Sequence, residues 1–498
     1  MVYNSTRDSR VQVTAAQAIA RGISVEKGLF VPTSLPTLTE QELTAMLGQS
    51  YVERATAVLQ KFLGDFTAEE VADCTRAAYT TERFRSPAIA PLHTLEDGVE
   101  ILELWHGPTC AFKDMALQIL PHLMRVSAQK TADGKEIVIL VATSGDTGKA
   151  ALEGFRDAAH TRILVFYPED GVSPMQKLQM VTQEGNNVAV CAIRGNFDDA
   201  QTGVKTIFTD TAVADKLAAH NMMFSSANSI NWGRLVPQIV YYVSAYCDMV
   251  AGGRLNMGDP INVAVPTGNF GNILAAYYAK RMGLPIAKLI CASNRNCVLT
   301  DFLTTGTYDR NRDFHTTTSP SMDILISSNL ERLLYELSDH DDAMIRELMA
   351  QLSDTGRYTV SADMLAKIRE LFAAGWCDDA QVAATIKDTF DRYHYLLDTH
   401  TAVAVNVYQA YRRETGDATP TVIASTANPY KFSASVLQAL GGDTSADEFG
   451  KVEELHRLTD EPVPAPLASL RGKTPRFSQV CDRDGMQDVV YGMLGIQG

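Results

Sequence analysis

The chain has 498 residues, which is more than one hydrophobic core usually supports, so we expect two or three domains. Its composition, 46% hydrophobic and 21% charged, is that of an ordinary globular protein. The formal net charge of −15 argues against nucleic acid or an anionic membrane surface as a general partner.

The cysteines and the N-terminus indicate a cytoplasmic protein. The eight cysteines include no CxxC pair, and their spacing is typical of reduced thiols rather than of a metal site. The first ten residues, MVYNSTRDSR, lack the apolar segment of a signal peptide. No apolar run approaches the ~20 residues of a membrane span. We therefore expect no bound metal and no membrane association.

Residues 1–95 predict a mainly helical N-terminal domain. Thr39 and Thr67 stand at N-cap positions, each three residues before a glutamate. Pro87 and Pro91 mark the end of this domain. The helical patterns cover approximately residues 11–21, 39–48, 51–63 and 67–79.

Strands and helices alternate in the rest of the chain. The continuous apolar run at residues 136–142 is typical of a buried parallel strand. Similar runs follow at residues 162–168, 188–193, 222–225, 261–266, 286–292 and 421–425. The order favours an α/β protein with two open parallel sheets. We predict a large domain from residues 96–130 and 255–498, and a small α/β domain from residues 131–254.

Residues 106–114, with the sequence HGPTCAFKD, join an apolar strand to a helix. Lys113 stands at the start of that helix, where poor hydration and the helix dipole disfavour its protonated form. A lysine with a lowered pKa is a nucleophilic amine of the type that forms Schiff bases. Because most lysines at helix starts simply reach into solvent, this interpretation depends on other motifs.

Three predicted strands end in small polar loops that open helices. These loops are TSGDTG at residues 143–148, TGNFGN at 267–272 and STANP at 425–429. Ligands of open α/β sheets bind beyond such strand ends, and backbone N–H groups at a helix start bind anions. The loops match neither the dinucleotide fingerprint nor the P-loop. A reactive lysine with a separate phosphate loop instead suggests pyridoxal phosphate.

Together the motifs HGPT-x-x-FKD, TSGDTG, TGNFGN and STANP resemble those of threonine synthases of the long form, which carries an N-terminal domain. The resemblance runs over most of the chain and includes residues 5–8 and 28–32. It implies PLP fold type II, the tryptophan-synthase-β-like fold, with two open sheet domains after a mainly helical N-terminal domain. It also implies a PLP-dependent lyase that converts O-phospho-L-homoserine and water to L-threonine and phosphate, the last step of threonine biosynthesis.

The resemblance assigns a role to each motif. Lys113 matches the Schiff-base and catalytic lysine, Phe112 packs beside the pyridine ring, and Thr426 contacts the ring nitrogen. The cofactor phosphate is bound by the loop residues Gly268, Asn269, Phe270, Gly271 and Asn272. The substrate carboxylate is bound by Ser144, Gly145, Asp146 and Thr147.

Several assignments stay open. Lys149 and Arg234 are candidates for the substrate phosphate, although Arg234 could equally pair with a nearby acid. His106 is more often structural than a general base, and Asp114 is expected to cap its helix. Glu331 and Arg332 are interpreted as an exposed ion pair.

Two other functions are compatible with the residues. One is a PLP-dependent serine or threonine dehydratase of the same fold, and the other is a regulatory protein that binds PLP or phosphate without catalysis. For the threonine synthase interpretation we expect O-phospho-L-homoserine as a small-molecule substrate, no nucleic acid or membrane partner, and a monomer or homodimer.

Overall fold

The structure is a computed structural model that describes residues 1–131, 134–170 and 172–496. The strands, in chain order, are β1 (Tyr3–Ser5), β2 (Asp8–Val13), β3 (Phe30–Pro32), β4 (Leu92–Glu96), β5 (Val99–Glu103), β6 (Glu136–Ala142), β7 (Thr161–Pro168), β8 (Val188–Arg194), β9 (Met222–Ser226), β10 (Ile261–Pro266), β11 (Ile286–Ser293), β12 (Thr307–Asp309), β13 (Arg357–Thr359), β14 (Phe372–Trp376), β15 (Thr421–Ser425) and β16 (Val480–Asp482).

Helices connect these strands and cover the sheets. They are α1 (Ala15–Arg21), α2 (Glu40–Met46), α3 (Tyr51–Phe62), α4 (Ala68–Ala78), α5 (Thr81–Phe84), α6 (Asp114–Leu117), α7 (Leu120–Thr131), α8 (Asp146–Phe155), α9 (Pro174–Val181), α10 (Phe197–Thr209), α11 (Thr211–Ala219), α12 (Trp232–Leu235), α13 (Pro237–Ala251), α14 (Gly271–Arg281), α15 (Val298–Thr305), α16 (Leu330–Leu337), α17 (Asp342–Thr355), α18 (Ala362–Leu371), α19 (Asp379–Tyr393), α20 (Thr399–Thr415), α21 (Ser433–Ala439), α22 (Glu448–Thr459), α23 (Ala465–Ala468) and α24 (Met486–Leu494), with 3₁₀ helices at Pro320–Met322, Pro429–Phe432 and Arg483–Gly485.

The N-terminal region combines helices with a small antiparallel sheet, in the strand order β2-β1-β3. Thr39 and Thr67 cap α2 and α4 through reciprocal bonds with the glutamate three residues later, as the sequence predicts. The helix expected over 11–21 begins only at Ala15, because residues 8–13 pair with β1. The region is therefore less purely helical than expected.

A six-stranded sheet forms the larger part of the fold, in the order β14-β11-β10-β15-β5-β4. Its strands are parallel except at the β4 edge, where β4 pairs antiparallel with β5. Strand β14 is not among the strands that the sequence predicts. Its alignment with β11 places Phe372 beside Leu289 and ends the helix.

A five-stranded parallel sheet has the order β16-β8-β7-β6-β9. The central strand β6 is almost wholly buried, which agrees with its continuous apolar sequence. Strand β16 pairs with β8, so residues 480–482 join this sheet, although the sequence assigns 255–498 to the other domain. The division of the chain into domains at the proposed boundaries stays a prediction. No helix of the described residues is long and apolar enough to span a membrane.

Glu331 and Arg332 connect the N-terminal sheet to the rest of the chain, so the expectation of an exposed ion pair was wrong. Both are buried, at 5% and 0% exposure. Glu331 accepts hydrogen bonds from Thr6 Oγ1 (2.6 Å) and from the Arg7 guanidinium (2.8 and 2.9 Å). Arg332 donates to the carbonyl oxygens of Phe30 (3.1 Å) and Ile230 (2.6 Å). Adjacent residues on α16 therefore serve different partners.

Replacing Arg332 with Met should lower the free energy of unfolding by ~3 kcal/mol, because buried carbonyl oxygens lose their donors. Trp232 lies under the guanidinium, 5.9 Å from its ring to the Arg332 Cζ, so tryptophan fluorescence in urea can follow the transition. Arg357→Met, on exposed β13, is the control. Equal urea midpoints for the two variants would contradict the role of Arg332 in connecting the N-terminal sheet to the rest of the chain.

Candidate active site

A cavity lies at the carboxyl ends of strands from both large sheets. The residues just after β6, β10 and β15 all contribute to its wall. The predicted site residues that line it are Phe112, Lys113, Ser144, Asp146, Thr147, Arg234, Gly268, Asn269, Phe270, Gly271, Asn272 and Thr426. The three separate loops of the sequence analysis therefore meet at one place, as expected for open parallel sheets.

Lys113 is buried at the entrance to α6, with 9% of its surface exposed. Its Nζ lies 4.7 Å from the centre of the Phe112 ring and 3.8 Å from Asp146 Oδ2. Burial lowers the pKa of Lys113 to about 8, with Asp146 acting in the opposite direction. The neutral amine, the form that a nucleophile or base requires, is therefore more populated near neutral pH than for an ordinary lysine.

Asp146 opens α8 and pairs with a lysine that the sequence analysis missed. Lys431 Nζ lies 2.7 Å from Asp146 Oδ1, and the lysine side chain has no exposed surface. Burial disfavours the charged form of Asp146, but the ammonium groups of Lys431 and Lys113 outweigh it and hold the pKa of this carboxyl well below its usual range. Lys431 follows the STANP motif by two residues, so inspection of the residues beyond the motif could have found it.

The loop at residues 268–272 is held from its outer side. The carbonyl oxygen of Gly268 accepts from Ser327 Oγ (2.9 Å), and that of Asn269 accepts from Asn329 Nδ2 (3.0 Å). Phe270 has a positive φ of 64°, which turns the chain into α14. The first N–H groups of a helix lack partners within it, so the start of α14 can accept an anion from the cavity.

The TSGDTG loop is organised by Thr143, whose hydroxyl accepts from the N–H groups of Gly145 (3.0 Å) and Gly148 (2.8 Å). Gly145 has a φ of 134°, and a Cβ there would lie 2.4 Å from the Gln176 side chain. Gln176 in turn donates to Asp146 Oδ1 (2.8 Å). The turn thus fixes Asp146 while Ser144 and Thr147 face the cavity.

Arg234 and Lys149 occupy different environments. Arg234 is buried against the cavity, where its Nη1 donates to the Ala227 carbonyl oxygen (2.7 Å) and its Nη2 to Thr147 Oγ1 (3.4 Å). Burial lowers its pKa to about 10. Lys149, by contrast, contacts Gln183 and Glu153 (3.1 Å) through its Nζ and is not among the cavity-lining residues. The geometry favours Arg234 over Lys149 as a ligand for an anion.

Thr426 is fixed next to the lysine segment. Its carbonyl oxygen accepts from the Phe112 N–H (2.8 Å), and its own N–H donates to Thr401 Oγ1 (3.3 Å). The Thr401 hydroxyl also contacts the buried carboxylate of Asp398. The predicted ring-nitrogen residue therefore stands on a hydrogen-bonded support within reach of the cavity.

His400 and Ser321 also line the cavity, and the sequence analysis gave them no role there. His400 Nδ1 lies 2.9 Å from Asp398 Oδ2, and its Nε2 accepts from the Ser321 N–H at 3.2 Å. A histidine 79 residues from its backbone partner carries no local signal, so sequence spacing could not identify it.

Two other residues near the lysine are structural. His106 contacts Glu103 (2.7 Å) and stacks on Trp105, outside the set of cavity-lining residues. Asp114 was expected to cap its helix, but it accepts from the N–H and the hydroxyl of Thr109, both at 2.8 Å. It therefore closes the preceding turn, and burial raises its pKa to about 6.

Comparisons with known proteins agree with this geometry. Residues 2–79 match the family described as threonine synthase N terminus, 74–426 that of pyridoxal-phosphate dependent enzymes, and 401–490 that of threonine synthase, C-terminal. Threonine synthase from Pseudomonas aeruginosa is 38% identical over 448 residues, covering 90% of this chain and 92% of that protein. The crystal structure of PLP-bound threonine synthase from Brucella melitensis superposes with a TM-score of 0.86, at 38% identity and 99% coverage of both chains.

Human threonine synthase-like 1 is 42% identical over 435 residues. The chain spans only 58% to 64% of the length of the threonine synthase-like 1 relatives. The fold and the site place the protein in the class of pyridoxal-phosphate dependent enzymes. Within that class the chain belongs to the threonine synthase family, which confirms both the family and the fold that the motifs predict.

The donors in the cavity fit pyridoxal phosphate. Two buried nitrogen atoms, Asn272 Nδ2 and Arg234 Nε, have no hydrogen-bond partner among the described residues. Asn272 belongs to the loop at the start of α14, whereas Arg234 lies next to the TSGDTG loop. Two separate buried donors suit two anionic groups, one on the cofactor and one on a substrate.

Gly145→Ala should lower the free energy of unfolding by ~2 kcal/mol, because alanine is strained at this φ and its Cβ displaces Gln176. Urea unfolding measures the change. Gly492→Ala is the matched control, since Gly492 lies in α24 with open space around its Cβ position. It should be neutral or slightly stabilising. An unchanged free energy of unfolding in Gly145→Ala would contradict this prediction and show that the turn can accommodate the alanine side chain.

Proposed function

We propose that the chain binds pyridoxal phosphate and acts as a threonine synthase, converting O-phospho-L-homoserine and water to L-threonine and phosphate. The observation that carries the proposal is the meeting of a desolvated lysine, Lys113, with an anion-binding helix start at residues 268–272 in one cavity. The TSGDTG loop supplies the substrate side of the same cavity.

Residues in the segments that follow strands β5, β10 and β15 of the six-stranded sheet hold the cofactor. The N–H groups at the start of α14 and the Asn272 amide bind its phosphate, and the Thr426 hydroxyl contacts its ring nitrogen. Phe112 packs against the ring, and Lys113 Nζ anchors its aldehyde. When bound, pyridoxal phosphate supplies an electron sink for negative charge that develops on the substrate.

The substrate is oriented by its two acidic groups. The hydroxyls of Ser144 and Thr147 and the N–H groups at the start of α8, from Asp146 onward, bind the α-carboxylate, while the Gly145 N–H is held by Thr143 Oγ1 and shapes the turn. Arg234 binds the phosphate through a charge-assisted contact. These contacts would hold the substrate α-carbon next to Lys113 Nζ, which would take up the α-proton as a general base once it is a free amine.

The wider assignments are also proposals. We infer that the protein works in the cytoplasm on this small-molecule substrate and is a monomer or a homodimer. A serine or threonine dehydratase of the same fold is the alternative. Phosphate release from O-phospho-L-homoserine and 2-oxobutanoate formation from threonine distinguish the two reactions directly.

Lys113→Ala should reduce phosphate release from O-phospho-L-homoserine at least about a thousandfold, because the base at the substrate α-carbon is lost. The visible absorbance of cofactor bound at this lysine should disappear as well. Lys387→Ala, an exposed lysine on α19 that pairs with Asp391, is the control. Full turnover by Lys113→Ala would refute the role of the lysine.

Arg234→Met and Lys149→Met test which cation binds the substrate phosphate. Arg234→Met should raise KM for O-phospho-L-homoserine at least about tenfold, since a charge-assisted bond is lost. Lys149→Met should leave KM within about twofold, because its Nζ contacts Glu153 and Gln183 instead. The reverse pattern would identify Lys149 as the phosphate ligand. Thermal unfolding of both variants serves as a check on folding.

A further inference from the structure

Lys431 is a fully buried cation to which neither the motifs nor the proposed reaction assigns a role. It lies in the 3₁₀ helix at Pro429–Phe432, after the end of β15. Its Nζ lies 2.7 Å from Asp146 Oδ1 and donates to the carbonyl oxygen of Thr109 at 2.9 Å. Because Thr109 belongs to the HGPTCAFKD segment, Lys431 contacts the segment that carries Lys113 as well as the loop opposite.

Asp146 is shared unequally between two lysines. Its Oδ1 accepts from Lys431 and from Gln176 Nε2, whereas its Oδ2 is 3.8 Å from Lys113 Nζ. The close ion pair thus belongs to Lys431. Lys113 Nζ lies beyond hydrogen-bond distance of the carboxylate, although both lysines lie close to the Asp146 side chain.

The charges around Lys113 come from four elements. Asp146 at the start of α8 and Asp398 before α20 favour its protonated form, while Arg234 on α12 and Lys431 disfavour it. With two anions and two cations nearby, the balance depends on whether the nearer anion is already neutralised. Lys431 neutralises that anion, because its Nζ is in direct contact with the Asp146 carboxylate.

We propose that Lys431 is a positioning residue for Lys113: it takes up the Asp146 carboxylate and so keeps Lys113 out of a close ion pair. Lys113 then remains an amine that can react with a carbonyl group. The inference rests on the proposed function for the identity of that carbonyl group, which is the aldehyde of the cofactor.

The low pKa of Lys113 agrees with this arrangement, since an unshared Asp146 would favour the ammonium form. Removal of Lys431 leaves the buried Asp146 carboxylate without its close partner, and among the described residues Lys113 is then the cation within 4 Å of it. We therefore expect the loss of Lys431 to make Lys113 less reactive, and the loss of Asp146 to make it more reactive.

The test measures the rate at which the Lys113 amine reacts with an acylating reagent. The full chain is treated with hydroxylamine and dialysed, so that Lys113 carries no carbonyl compound, and is then pulse-labelled with acetic anhydride across a range of pH. Peptide mass spectrometry gives the labelling rate of Lys113. Only neutral amines react, so each unit by which the pKa rises slows labelling about tenfold below the pKa.

Lys431→Met should slow the labelling of Lys113 at pH 7 about tenfold, and Asp146→Asn should accelerate it. Lys431→Arg, which keeps the charge, should restore a rate near that of the wild type. Lys280→Met is the control, because Lys280 is a half-buried lysine whose Nζ contacts the Ile286 carbonyl oxygen away from the cavity. It should leave the rate unchanged.

An unchanged or faster rate in Lys431→Met would overturn the proposal, as would shifts of equal sign in Lys431→Met and Asp146→Asn. Should Lys431→Met lack a cooperative thermal transition, Lys431→Gln replaces it with the same expectation, since glutamine can still donate to Thr109. The labelling result does not depend on turnover. A chain that fails to convert O-phospho-L-homoserine therefore refutes the proposed function without deciding this inference.

Discussion

The ion pair between Lys431 and Asp146 joins the TSGDTG loop to the 3₁₀ helix that follows β15 of the six-stranded sheet. Both side chains are almost inaccessible to water, at 0% and 2% exposure. Removing one partner of such a pair leaves an uncompensated charge in the interior, at a typical cost of ~3–5 kcal/mol. The TSGDTG loop and the segment after β15 are therefore held together by this contact, and loss of either side chain should destabilise the protein.

The N-terminal sheet is also connected to the cavity, through a short chain of contacts. Arg332 donates to the Phe30 carbonyl oxygen of β3 and to Asn329 Oδ1 (2.5 Å). Asn329 in turn donates to the carbonyl oxygen of Asn269 in the loop at residues 268–272. Displacement of the N-terminal sheet would thus release the outer support of that loop. The N-terminal region is part of the site's scaffold rather than an independent attachment.

The sequence predicts the features that depend on local pattern. The loops after β6, β10 and β15 are recognisable because glycine and small polar residues follow continuous apolar strands. His400 and Arg332 could not be found in this way, since their roles arise from partners more than 75 residues away. Strand β14 was not predicted for a related reason, because it is defined by its pairing with β11, which is distant in the sequence.

The charged side chains at the cavity differ from those of the molecule as a whole, which is acidic. The chain carries a net charge of −15, yet Lys113 and Arg234 line the cavity beside Asp146, and Lys431 pairs with Asp146. Because Lys431 and Asp146 neutralise each other in direct contact, they contribute little field at longer range. Arg234 and the helix starts at α8 and α14 are then left to attract anions. Buried charges are screened only weakly by salt, so an acidic protein can bind a phosphorylated ligand without a basic surface.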